Sequence, residues 1–236
     1  MRMLGLNIVQ RARKLSSVSP VCSLRPARGC CITRAKAAEG VRQFSAAQVQ
    51  GKLFVSGWSN SGALGLGDDV TRAKVLTHVP TEGTVVSVAC AKTFTLFATD
   101  TGKVYAMGDN SNGELGNSTA GKTQTTPLQV EGLDGVNIVQ VAAGLHHGLA
   151  VSDKGQVFSW GWGGSNLPGG DTGALGHGDR QNQPVPKCIA GLEGIHVVQA
   201  ACGSKHSLAL DADGNVYTWG LGQQGRLGHG NNTGAR

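Results

Sequence analysis

The chain has 236 residues, of which 37 are glycine, with 39% hydrophobic residues, 15% charged residues and a formal net charge of +6. Charge this sparse, beside so many Val, Leu and Ala residues, excludes a solvated coil. No apolar run reaches the eighteen or so residues that a spanning helix needs, which excludes an apolar transmembrane segment of that kind.

The first forty residues differ from the rest. They carry eight basic residues (Arg2, Arg11, Arg13, Lys14, Arg25, Arg28, Arg34, Lys36) against one acid, Glu39, a net +7. The other 13 basic and 14 acidic residues sum to −1, so the body is nearly neutral. That weighs against nucleic acid as a partner, because phosphate binding needs cations clustered on the folded body. The leader is Arg-rich, contains several serines and is free of acids up to Glu39, the composition of a transit peptide. Met1, Leu4, Ile8, Ala12 and Leu15 share one helical arc, with Arg2 and Arg13 opposite. Residues 1–40 are therefore expected to be a disordered or weakly helical mitochondrial leader, cut between Arg28 and Lys36. The alternative is a basic tail on a nuclear or cytoplasmic protein. Cys22, Cys30 and Cys31 lie in this leader; Cys90, Cys188 and Cys202 follow without a CxxC pair, so no metal site is expected.

From Gly51 the chain repeats itself. GKLFVSGWSNSGALGLGD (51–68), GKVYAMGDNSNGELGNST (102–119), GQVFSWGWGGSN…TGALGHGD (155–179) and GNVYTWGLGQQGRLGHGN (214–231) align, and their first glycines are 51, 53 and 59 residues apart. The third copy carries seven extra residues between Gly161 and Gly176, so the underlying period is close to 52. Each copy starts at a hairpin glycine, runs through a short strand that alternates apolar and polar residues, and stops at Gly57, Gly108, Gly161 or Gly220. A compact loop follows, in which Leu64, Leu115, Leu175 or Leu227 plugs inward ahead of Gly65, Gly116, Gly176 or Gly228. Two further strands precede each hairpin, as in VNIVQVAAG with HHGLAVSD; their small Ala-Ala-Gly and Ala-Cys-Gly ends suggest closely approaching sheets. Four short strands per period of about fifty make the blade of a β-propeller. The glycines do not cradle phosphate, since no Lys-Ser/Thr and no helix follow them.

The pattern GxVYxWGxxxxGxLGxG, followed by Pro and then VxxVACGxxHSLAL, resembles the repeat of the Regulator of Chromosome Condensation family over residues 51–236. The match is fullest in CGSKHSLALDADGNVYTWG and AGLHHGLAVSDKGQVFSWG. The first copy departs, with Ala91 and Phe94 where the family has Gly and His. LFVSGWSNSGALG and FTLFAT, after a transit-like leader, are similar to a mitochondrial, exchange-factor-like branch of the family. The resemblance implies a seven-bladed ring, of which this chain supplies about three and a half blades over 41–236. A truncated ring, or one closed by another chain, is the expectation.

The resemblance also implies a guanine-nucleotide exchange factor-like regulator of a small or dynamin-like GTPase, a role that needs a surface and no covalent catalysis. A scaffold in mitochondrial ribosome or RNA assembly, or a nuclear protein that binds chromatin or Ran, are the alternatives. No catalytic residue, cofactor or small-molecule substrate is expected. His147 and His206 recur at one repeat position, so they read as structural residues whose rings bond a backbone group. His177 and His229 read alike, and Asp68, Asp109, Asp179 and Asp213 read as turn acids. No Gly-Trp-Arg-His-Thr run, carried by light-sensing members of the family, occurs. Trp160 and Trp219 read as core. Partner contacts are expected at Trp58 and Trp162, just past their strand glycines, and at Asn166, Leu167, Pro168, Gly169, Gly170 and Asp171, where the repeat is interrupted.

Overall fold

A computed structural model describes residues 51–118, 121–164 and 173–235. The leader, and the residues predicted as partner contacts from Asn166 to Asp171, lie outside the described residues. Among the described residues, thirteen strands form four antiparallel sheets. The first blade holds β1 (Leu53–Trp58) and β2 (Arg72–Val79). The second holds β3 (Val85–Cys90), β4 (Phe94–Thr99), β5 (Val104–Gly108) and β6 (Gln124–Gln129). The third holds β7 (Ile138–Ala143), β8 (His147–Ser152), β9 (Val157–Gly161) and β10 (Gln183–Cys188). The fourth holds β11 (Val197–Cys202), β12 (His206–Asp211) and β13 (Val216–Gly220). Ala235 bridges Gly220 in the register by which Gln124 meets Gly108 and Gln183 meets Gly161. The protein is an all-β, partial propeller of about three and a half blades. Among the described residues, the only helical segments are the single 3-10 turns Ala190–Leu192 and Gln223–Gly225.

Each blade is a meander because its turns are tight and its strands alternate. Gly102, Gly155 and Gly214 take φ near +80° at the β4–β5, β8–β9 and β12–β13 turns, where glycine alone among the residues has no Cβ penalty. The strand-ending glycines are fixed for a second reason. A Cβ on Gly161 would stand 2.5 Å from the His146 carbonyl, and one on Gly220 would stand 2.6 Å from that of Lys205. The strand that follows bulges in each of the first three copies: Lys74–Leu76, Thr125–Pro127 and Pro184–Pro186 each set three residues against one in β1, β5 or β9.

Blades pack side by side through apolar layers. Leu53 and Val55 meet Phe97, Tyr105 and Met107; Val104 and Ala106 meet Phe158 and Trp160; Leu149, Val151 and Val157 meet Ala209 and Trp219. All four loop leucines are buried plugs, as expected. Polar links cross the junctions too. The Trp160 and Trp219 indoles donate to the carbonyls of Glu114 and Ala174 in the preceding blade, both at 2.8 Å. The Gln140 amide pairs with the backbone of Ala200 at 3.0 and 2.8 Å. The carbonyls of Gly51, Gly102 and Gly155 each accept the N–H that opens the next blade, from Val85, Ile138 and Val197.

Candidate functional site

The inter-strand loops fall at two ends of the blades. One end carries the tight hairpins; the other carries the long third-to-fourth-strand loops and the short β3–β4, β7–β8 and β11–β12 turns. On the long-loop end the third and fourth blades build a continuous rim. Leu145 N–H donates to the Ser204 carbonyl at 3.0 Å, which ties the β7–β8 turn to the β11–β12 turn. Trp162 follows Gly161, and its N–H donates to the His146 carbonyl at 2.8 Å. Its half-buried ring lies under Lys205, whose Nζ is 5.5 Å from the ring centroid, a cation–π distance.

Beneath the rim is a carboxylate. The Glu114 side chain is buried, at a position where the other copies carry Ala63, Ala174 and Arg226. It accepts from the N–H and the Nδ2 of Asn112, both at 2.7 Å, and faces His146 Nδ1 at 3.1 Å. Burial pushes its pKa up, but the hydrogen bonds from His146 and Asn112 outweigh that and hold it below the ordinary value. With Nδ1–H held by Glu114, the imidazole has its Nε2 as the second polar atom of a half-buried ring.

The stems of the insertion are fixed beside this rim. Gly163 N–H donates to the Asn182 side chain at 3.0 Å, and a Cβ on Gly173 would collide with the Gly163 carbonyl. Trp162 thus stands at the foot of the interrupted repeat. Trp58 is elsewhere: it ends β1 in the first blade, opposite Arg72, and is exposed. The two tryptophans predicted as contacts are not brought together.

The recurrent histidines correct one expectation. His147 is buried, and its ring does not bond the backbone: Nε2–H donates to Ser207 Oγ of the fourth blade at 3.0 Å. That hydroxyl is itself committed to the Ala174 carbonyl at 2.8 Å. His177 and His229 likewise donate to side-chain hydroxyls, of Ser159 at 2.9 Å and Thr218 at 3.0 Å. The small residues near the β7 and β11 ends also have another cause, since a Cβ on Gly144 or Gly203 would enter the imidazole of His147 or His206. Among the turn acids, Asp109 and Asp179 cap their loops, and Asp68 accepts from Thr125 Oγ1 of the next blade. At the last hairpin the acceptor is Asp211, which takes hydrogen bonds from the N–H groups of Asp213 and Asn215 and from the Tyr217 hydroxyl. Sequence reading missed Glu114 and Lys205; the acid that replaces alanine in a GxLG loop was the available signal.

These features define a propeller that works as a protein-interaction domain. Family models for the Regulator of chromosome condensation (RCC1) repeat match residues 50–98, 101–151 and 154–210, and a second model of that repeat matches 85–114, 138–166 and 197–226. The chain belongs to this family. It is 40% identical over 193 residues to the human E3 ubiquitin-protein ligase HERC2, covering 80% of this chain and 4% of that protein. It is 35% identical over 192 residues to the Ultraviolet-B receptor UVR8 of Arabidopsis thaliana, covering 80% of this chain and 42% of the receptor. Among solved structures it is similar to human WBSCR16, with TM-score 0.65 and 31% identity over 78% of this chain and 46% of that one. It is also similar to Prp20p of Saccharomyces cerevisiae, with TM-score 0.60 and 25% identity over 77% and 44%. The chain spans less than half the length of each of these proteins.

Proposed function

We propose that the long-loop rim of the third and fourth blades is the partner-binding surface of a guanine-nucleotide exchange factor-like regulator, acting on a small or dynamin-like GTPase in mitochondria. The observation that carries the reading is Trp162: an aromatic clamped by Lys205 and the His146 backbone, at the foot of the one interruption in the repeat. Rigid aromatic residues with a neighbouring cation are the usual anchors of protein interfaces. The structure of Prp20p was solved together with a study of its binding to Gsp1p and histones, which supports a protein partner for this chain. Exchange makes no covalent bond. It needs only a surface that binds the nucleotide-free GTPase more tightly than the loaded one, so that nucleotide release is driven by differential affinity. The composition of residues 1–40 supports mitochondrial import, with the propeller beginning after them.

The test is release of a fluorescent guanine nucleotide from a panel of mitochondrial GTPases, with wild-type protein and with Trp162→Ala. Acceleration by the wild type and its loss in the variant support the reading. Binding without acceleration assigns the same rim to a scaffold. Imaging the chain with and without residues 1–40 tests the location.

A further inference from the structure

The β3–β4, β7–β8 and β11–β12 turns end in Thr93, His146 and Lys205. The backbone has one duty at this place in all three. The carbonyls of Thr93, His146 and Lys205 accept the N–H of Asp109, Trp162 and Leu221 at 2.9, 2.8 and 2.9 Å. The side chain has no common duty, since it is a hydroxyl, an imidazole or an ammonium.

The GxLG loops of the first three blades carry Ala63, Glu114 and Ala174 ahead of the plug leucine. The loop therefore closes on alanine. Between the first and second blades, Ser61 Oγ donates to the Thr93 carbonyl at 2.8 Å, and a backbone acceptor suffices to join loop to turn. Between the second and third blades the join is made by a wholly buried carboxylate, which is far costlier to take out of water than a methyl group. Besides the bonds from Asn112 in its own loop, what Glu114 holds is the His146 ring, at 3.1 Å from Nδ1.

An imidazole with one proton carries it on the nitrogen that meets the carboxylate, here Nδ1, which leaves a lone pair on Nε2. Nε2 has no hydrogen-bond partner among the described residues, and the side chain is 34% exposed. The second and third blades, which form this junction, both lie within the described residues, as does a further blade on either side. Trp162, bonded through its N–H to the His146 carbonyl, stands on the same rim with Lys205 over its ring.

Building on the exchange-factor reading, we propose that His146 is a partner-contacting residue of this rim, its Nε2 accepting a hydrogen bond from an N–H or O–H group of the protein partner, and that Glu114 is the positioning residue that fixes the ring for that contact.

The test has two parts, both on the full chain. Long-range 15N–1H correlation of the imidazoles in the free protein near pH 7.5 should show His146 protonated on Nδ1 alone. An Nε2–H tautomer overturns the positioning role. Affinity is then measured for the nucleotide-free forms of the mitochondrial GTPases in the exchange panel. His146→Ala should bind about ten-fold more weakly than wild type, the worth of one interfacial hydrogen bond. Glu114→Ala should lose a similar factor, and the double variant little more, because the two act as one unit. Glu114→Gln, whose amide oxygen still accepts from Nδ1–H, should recover most of the loss, which a merely structural carboxylate gives no reason to expect. Circular dichroism certifies each fold; if Glu114→Ala fails to fold, His146→Ala and Glu114→Gln carry the test. Wild-type affinity in His146→Ala overturns the contact, and a Glu114→Gln as weak as His146→Ala overturns the positioning role. Protonation of Nε2 in the complex marks an acidic partner and overturns the donor assignment. If wild type binds no GTPase of the panel, the exchange-factor reading fails and takes the contact with it, while the tautomer still decides whether Glu114 holds the ring.

Discussion

Acid should weaken the junction between the third and fourth blades through His147. The ring is wholly buried; Nε2–H is used on Ser207, and Nδ1 has no hydrogen-bond partner among the described residues. A second proton would therefore sit in an apolar site with nothing to accept it. Burial first, then the neighbouring positive charges of His206 and His146 when protonated, hold the pKa at about 4 against an ordinary 6.5. Below pH 6.5 the unfolded chain takes up a proton that the folded chain refuses until about pH 4. Stability from this residue is thus complete above pH 6.5, falls as the pH drops through that window, and levels off below pH 4. The gap corresponds to roughly 3 kcal/mol. The control is His147→Phe, the residue the second blade has at this place as Phe94. Urea unfolding of both proteins near pH 7, 5.5 and 4 measures the effect; titrating groups away from the ring, including Asp211, are common to both and cancel in the difference. The wild type should lose roughly 3 kcal/mol relative to the variant on acidification to pH 4. Parallel stability curves would refute the reasoning.

Three further outcomes are expected. Gly161→Ala should destabilise by about 1–3 kcal/mol or more in a denaturant titration, since φ is +97° and the methyl meets the His146 carbonyl, whereas Gly178→Ala, at φ +81° with open space, should cost only about 1–2 kcal/mol. Trp160→Phe keeps most of the apolar volume but leaves the buried Glu114 carbonyl without its indole donor, and should lower unfolding free energy by about 1–3 kcal/mol in the same titration. Lys205→Ala should weaken GTPase binding less than Trp162→Ala does, because a half-exposed cation over a ring contributes only about 0.5–1 kcal/mol; surface-bound GTPase titrated with each variant reads the order.

Much of the architecture was legible because its causes are local. A glycine at each hairpin, a leucine ahead of each LG glycine and a steady interval specify blade after blade, and Leu64, Leu115, Leu175 and Leu227 are buried as that pattern requires. Trp160 and Trp219 were legible as core for the same reason. The three-residue bulge inside each of β2, β6 and β10 left no common mark, since TTP and PVP end in proline and KVL does not. The role of the histidines was half legible: recurrence marked them as structural, but the Ser207 hydroxyl that His147 meets is 60 residues away.

Repeat spacing, turn chemistry and strand alternation belong to neighbouring residues, and the order of letters was enough to establish a propeller of this family. Which loops abut at the rim depends on how one blade is rotated against the next, so the burial of Glu114 under His146 and the clamp of Lys205 on Trp162 came into view with the folded chain. The separation of Trp58 from Trp162 has the same origin: the motif places both after a strand glycine, and the packing of whole blades assigns one to the end of the row and the other to its face.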